Sequence, residues 1–325
     1  TDPLRRAGEQ RPVVLVVDGL DQLDDRDHAP DLAFLPFELP AGVHLVASAV
    51  GGRPLEAALA RTWATHAVSP LTEADRRELV AAFLARSSKR LGPELTDRLV
   101  GRPSTATPLF LRIVLDELRQ HGDHFTLGAV IDAYLAAPDL AELYAAVLGR
   151  WERDSEGAGP RRARAPSPAL GPARRGLAEP ELLDILGDAQ GLPHAVWSPL
   201  FLAAGESLAL RAGLLGFLHE PLRVAVAARW LPTAADRAAA HERLARYFDG
   251  RPLGPRVVAE LPWQLVQAGS WDALADVLAR PDLLAAAYRS DLPGVRAAWT
   301  AVEGSSDHRV TAAYADVLAD PASHP

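Results

Sequence analysis

Asp18 and Asp21 lie in the stretch VVLVVDGLDQLDD, residues 13–25, where five apolar residues run straight into Asp18-Gly19-Leu20-Asp21. A carboxylate at the end of a buried strand can hold Mg²⁺, a hard cation that prefers oxygen ligands and keeps several waters. A second carboxylate three residues on can orient or deprotonate an attacking water. On this pattern Asp18 is the metal residue, acting through water, Gly19 keeps the turn open, and Asp21 positions water. The competing structural account is a surface turn in which an Asp caps the next helix. An apolar strand followed by one Asp is common; the complete VVLVVDGLDQL is far more specific.

Composition narrows the remaining chemistry. The formal net charge of −8 argues against a general nucleic-acid binder. There is no cysteine, which removes disulfides, zinc–thiolate sites and a cysteine nucleophile. The ten histidines are scattered, and no Ser-His-Asp ordering or hydrolase-type carboxylate pair stands out. Methionine is absent even at position 1, so a fragment or a processed product is expected. Lys89 is the only lysine, against abundant Arg, Ala, Gly and Pro, a composition that fits a high-GC bacterial gene. No apolar run reaches the ~18 residues of a membrane helix, and no signal peptide is visible; a cytoplasmic protein without membrane partners is expected.

Several elements must position the two carboxylates. The run 12–18 suits a strand buried on both faces of a parallel sheet. A second run at 43–48, VHLVAS, follows the turn signal LPAG; GGRPLEAALARTW reads as a helix, and THAVSPL (65–71) as a short third strand. Strand, helix and strand in alternation give an α/β remnant over residues 1–71. From Thr72 the pattern turns helical. Thr72 and Asp75 form a near capping box, and PLFLRIVLDELRQHG (108–122) is strongly amphipathic with Pro in its first turn. Residues 72–154 are therefore an all-helical unit, with Lys89 expected on a helix. Residues 155–176 are rich in Pro, Gly and Arg and read as a flexible basic linker. Order returns at 177–250: LAEPELLDILG is a helix, HAVWSPLFLAAGESLALRAG carries another, 214–217 is one strand of a wing, 221–230 a helix, and TAADRAAAHERLARYFDG a capped helix. This combination predicts a winged-helix unit. Two helix pairs in 251–325 look like the start of a repeat array.

Residues 13–23 resemble the Walker B segment of the NACHT branch of the STAND NTPases, signal-transduction ATPases with a P-loop nucleotide domain. That group places a small residue after the first Asp and a second acid three residues later; Gln22 stands where Glu is common. LPAGVHLVASAV resembles the following sensor strand, with Ser48 at the position that senses the γ-phosphate. Ala49-Val50 follow where many relatives carry Arg, which puts sensing by an arginine in doubt. STATPLFLRIVLDELRQHG resembles the segment whose proline packs on adenine, implying that role for Pro108; the structural alternative is a favoured first-turn proline. LLGFLHEPLRVAVAARWL resembles the end of the winged-helix domain, where a Met-His-Asp-like motif sets a histidine against the ADP β-phosphate. Leu218-His219-Glu220 matches it, and the alternative for His219 is a structural histidine. AELPWQLVQAGSWDALADVL is similar to the helical element that follows in repeat-bearing members related to telomerase-associated and WD- or TPR-repeat NACHT proteins.

The resemblance implies ATP or ADP with Mg²⁺ as cofactors, bound between the α/β, helical and winged-helix parts. It also implies an ADP-held inactive state, self-oligomerisation on activation, and an unknown ligand or protein sensed by downstream repeats. One piece is missing from this sequence: no G-x-x-x-x-G-K-[ST] occurs anywhere. In the family that loop precedes Walker B, so the chain is expected to lack the N-terminal half of the nucleotide domain and to bind ATP poorly by itself. The abrupt change at 155–176, where relatives carry a Leu- and Ala-rich helix, has two accounts: an evolved linker, or a pair of compensating frameshifts. Two further functions compete with the nucleotide switch. One is a non-catalytic scaffold from a degenerate NTPase, favoured by Gln22 and the missing arginine. The other is a winged-helix DNA-binding regulator, disfavoured because its candidate recognition helix is apolar apart from Arg223 and Arg229.

Overall fold

The apolar run forms β1 (Val13–Val17), which pairs in parallel with β2 (Val43–Ala47), from Val13 opposite Val43 to Val17 opposite Ala47. The computed structural model describes residues 3–23, 28–156, 167–187 and 207–319. Two units make up the chain, residues 1–69 and 70–325.

In the first unit a helix, α1 (Pro3–Gln10), precedes β1, and α2 (Gly52–Ala60) follows β2. Short 3-10 turns at Leu20–Gln22 and Ala29–Asp31 fill the crossover. Leu20, Leu32 and Ala58 form a small core against Val17, Leu35 and Trp63. Arg61 braces this crossover: it donates to the Leu32 carbonyl at 2.8 Å and lies near the Phe37 and Trp63 rings. The other sheet face is open, with Val16 73% exposed and Val14 and Val46 beside it. The third strand expected at 65–71 does not form. Those residues make no ladder with any described residue, and Val68 is 91% exposed. Pro70 lacks an N–H to give to a ladder.

The second unit is mostly helical and has two apolar cores. The first gathers α3 (Glu73–Ala85), α4 (Pro93–Val100), α5 (Pro108–Gln120), α6 (Leu127–Leu135) and α7 (Leu140–Glu156) around Phe110, Leu115, Ile131 and Tyr144. Thr72 caps α3 in a full box with Asp75. Lys89 lies past the end of α3 rather than on a helix; its ammonium donates to the Arg119 and His121 carbonyls at 2.6 and 2.9 Å, a cation on the C-terminus of α5. Glu117, buried on α5, accepts from Tyr134 and from Arg150, whose Nη2 lies 2.9 Å away, joining α5, α6 and α7.

The linker expected over 155–176 is packed in part: Ala169, Leu170, Pro172 and Gly176 are buried. α8 (Ser167–Leu170) buries Ala169 and Leu170 in the second core, and Leu177 bridges to Leu215. Small and proline side chains can fill a core without looking apolar in a window of sequence, and Pro172 supplies a buried carbonyl acceptor for Gln264 at 3.0 Å. α9 (Glu179–Leu186) comes next. The helix expected in 194–213 falls largely outside the described residues; its end forms β3 (Leu208–Arg211), antiparallel to β4 (Leu214–Phe217). Ala212 and Gly213 both have positive φ, as a two-residue hairpin turn requires.

α10 (Glu220–Trp230) returns to the first core through Leu222, Ala225 and Val226, and Arg229 and Trp230 bond Glu152 of α7. α11 (Ala234–Asp249), capped by Thr233 and Asp236, belongs to the second core. With it pack two helix pairs: α12 (Pro255–Ala268) with α13 (Trp271–Leu278), and α14 (Pro281–Ser290) with α15 (Leu292–Ser305). Short helices α16 (Val310–Ala313) and α17 (Ala315–Ala319) end the described chain. Among the described residues no helix is long and apolar enough to cross a membrane.

Candidate functional site

Three residues singled out in the sequence meet at the carboxyl ends of β1 and β2. Ser48 donates its hydroxyl to Asp18 Oδ1 and accepts the Gly19 N–H at 2.8 Å. The backbones lock in the same place: Ser48 N–H donates to the Val17 carbonyl at 3.0 Å, and Leu20 N–H to the Ser48 carbonyl at 2.9 Å. Asp21 accepts the Val50 N–H at 3.1 Å, so the second carboxylate is also tied to the end of β2. Gly19 makes the turn feasible: its φ is +73°, and a Cβ there would crowd the Gln22 side chain. Parallel strands end in this way at the side of a sheet where ligands bind, beyond the strand carboxyl ends.

Asp18, Asp21 and Ser48 are exposed and present only oxygen atoms. That donor set suits Mg²⁺ and not a soft metal. Among the described residues no group of three or more His, Cys, Asp or Glu could hold a metal by protein ligands alone. A cation at Asp18 would thus take most of its ligands from water and a bound phosphate, as Mg²⁺ commonly does. Sequence reasoning missed the Val50 N–H, because a backbone donor leaves no signature in residue type. It also missed Arg53, which grips Asp31 through Nε at 3.1 Å and Nη2 at 2.6 Å and holds that carboxyl below its usual range.

Pro108 and His219 lie in the second unit. Pro108 is the exposed first residue of α5. The turn before it is fixed from below by Arg76, a buried guanidinium that donates to the Val100 carbonyl, to the Arg102 carbonyl at 3.0 Å and to Thr105 Oγ1 at 3.1 Å. His219 is the N-cap residue of α10 and is half-buried. Burial pushes its imidazole below the ordinary value, and the Arg112 guanidinium, one turn along α5 from Pro108, pushes the same way.

No protein-family profile matches the chain. It is 28% identical over 268 residues to a TPR repeat-containing protein of Dictyostelium discoideum, covering 82% of this chain and 16% of that protein. It is 25% identical over 321 residues to the mouse tetratricopeptide repeat protein 41, covering 84% and 24% respectively. Against the human NACHT domain- and WD repeat-containing protein 1 it is 27% identical over 277 residues, covering 73% and 16%. The chain is similar to TPR-repeat and to NACHT/WD-repeat proteins, and spans a quarter or less of the length of these relatives.

Proposed function

We propose that this chain carries part of a nucleotide-dependent signalling switch of the NACHT type, followed by helical repeats that make protein contacts. The observation that carries this reading is the convergence of Asp18, Asp21 and Ser48 at the ends of two parallel strands. Asp18 would hold Mg²⁺ through water, and the ion would neutralise phosphate oxygens when bound. Ser48 fixes the orientation of the Asp18 carboxylate with its hydroxyl proton and is itself fixed by the Gly19 N–H. Asp21, held by the Val50 N–H, would keep an attacking water in place. On the second unit, Pro108 and His219 are proposed as contacts to adenine and to the β-phosphate; a ring kept neutral by burial still donates one hydrogen bond. ADP would hold the resting state, and ATP would favour self-assembly.

The relatives' names support both halves of the proposal: NACHT and WD repeat for one group, TPR repeat for the other. The test is ATP turnover by the full-length protein. Asp21→Asn lowers kcat by about 100-fold or more while nucleotide affinity stays within a few-fold, the signature of a group acting on the attacking water. Equal turnover in the two proteins refutes the assignment.

A scaffold without catalysis is the second reading, and one observation favours it. The 325 residues contain no phosphate-binding G-x-x-x-x-G-K-[ST], whereas the paired helices α12–α15 are well packed around Leu261, Leu274, Leu283 and Trp299. Under that reading Asp18 and Asp21 are turn residues, and turnover is absent from the wild type as well.

A further inference from the structure

A cleft of about 220 Å³ opens between the turn after α8, the β3–β4 hairpin and the start of α10. Its lining is strongly one-sided in charge. Arg174, Arg175, Arg211, Arg223 and His219 line it, with Glu220 the only carboxylate among the described residues that do. Glu220 is taken by Arg223, three residues on, with Nε 2.8 Å from Oε2. Arg174 is turned to the Ala259 carbonyl at 3.0 Å and Asp291 at 3.4 Å. Arg175 and Arg211 are exposed and make no ion pair or hydrogen bond with any of the described residues. Two unpaired guanidinium groups on one small cleft repel each other, in a chain whose net charge is −8.

The backbone holds them there. Gly176 has φ +93° and presses against the Leu215 carbonyl so closely that a Cβ would overlap it. Leu177 and Leu215 exchange two backbone hydrogen bonds at 2.9 and 2.8 Å. This clamp sets Arg174 and Arg175 beside β4, while the tight Ala212-Gly213 turn sets Arg211 at the end of β3. The cleft is smaller than the ~300–1,000 Å³ usual for drug-sized ligands, which suits a small anion. Guanidinium forks match the oxygens of a phosphoryl group.

We propose that this cleft binds a small phosphate-bearing anion, with Arg175 and Arg211 taking its oxygens and the Glu220-tethered Arg223 completing the charge. The cleft shares His219 with the β-phosphate contact proposed above, but the proposal rests on Arg175 and Arg211 and on no role for His219, Asp18 or Asp21. Inorganic pyrophosphate is the probe, titrated calorimetrically into the full 325-residue chain at low salt, with ADP in a parallel arm. The expected result is saturable one-to-one binding of pyrophosphate that weakens at least tenfold in Arg175→Ala/Arg211→Ala and is unchanged in Arg289→Ala, an exposed arginine that does not line the cleft. Both arginines are exposed, so the double variant should melt like the wild type, and the melting curve checks this. ADP binding tighter than pyrophosphate identifies the phosphoryl group as part of a nucleotide; equal or weaker ADP binding identifies a free or non-nucleotide diphosphate. The absence of saturable heat up to about 10 mM pyrophosphate overturns the proposal, as does wild-type affinity in the double variant.

Discussion

Gly176 shows how much one missing Cβ can decide. Its positive φ and its contact with the Leu215 carbonyl join the end of the Pro- and Arg-rich stretch to the hairpin. Gly176→Ala adds backbone strain and a steric overlap that only a shift of β4 relieves; a loss of about 2–4 kcal/mol is expected in urea unfolding. Gly213→Ala makes a useful control, because φ is also positive there but no atom lies within 4 Å of the added Cβ. A Gly176→Ala protein no less stable than the Gly213→Ala protein would show that the clamp is unimportant. At the other end of the chain, Ser48 has a comparable local role. Its hydroxyl joins Asp18 and Gly19 in one hydrogen-bonded corner, and all three residue types were legible in the sequence. The Val50 amide that holds Asp21 was not, since any residue at position 50 supplies the same donor.

At the scale of elements, buried polar groups tie the helices together. Arg76 satisfies the carbonyls of Val100 and Arg102 and the hydroxyl of Thr105, and so fixes the turn that presents Pro108. Arg76→Ala leaves these buried acceptors without donors, at an expected cost of about 2–4 kcal/mol. Arg76→Lys, a point donor in place of a fork, should recover less than half of that in the same denaturation curves. A second network joins α11 and α12 to the turn after α8. Gln264 donates to the Pro172 carbonyl and to Glu260, so its amide oxygen faces His241 Nδ1 at 2.7 Å, and that nitrogen carries the proton.

Burial holds His241 below its ordinary value, as it does His219. Between the depressed folded value and about 6.5 the unfolded chain binds more protons, so stability rises with pH and is eroded on acidification through that window. Carboxylates such as Glu152, held low by Arg229, release their stabilisation only below the ordinary carboxyl value of about 4.5. Melting temperature should therefore fall between pH 7 and about 5, less steeply in His241→Gln. A melting temperature that is flat over this range contradicts the sign. Such networks were not legible in the sequence. Helix caps such as Thr72–Asp75 and Thr233–Asp236 follow from residues three apart, but Gln264 and Pro172 are 92 positions apart. The expected third strand failed for a related reason, because a strand needs a partner that no local pattern reveals.

For the whole molecule, two helix pairs follow residue 254, and the chain is similar to TPR-repeat and to NACHT/WD-repeat proteins. The phosphate loop absent from these 325 residues has its own consequence. This chain by itself is expected to bind Mg-ATP only weakly, in the millimolar range or worse, because no Gly-rich amide cradle or lysine offsets the phosphate charge. Tight calorimetric binding of Mg-ATP to it would show that other residues supply the cradle. The most direct test of the account concerns Asp18. ATP affinity of the full-length protein is measured with and without Mg²⁺, for wild type and Asp18→Asn. The account predicts that Mg²⁺ tightens binding about tenfold or more in the wild type and that this gain disappears in Asp18→Asn. The same Mg²⁺ gain in both proteins, or no nucleotide binding by either, contradicts it.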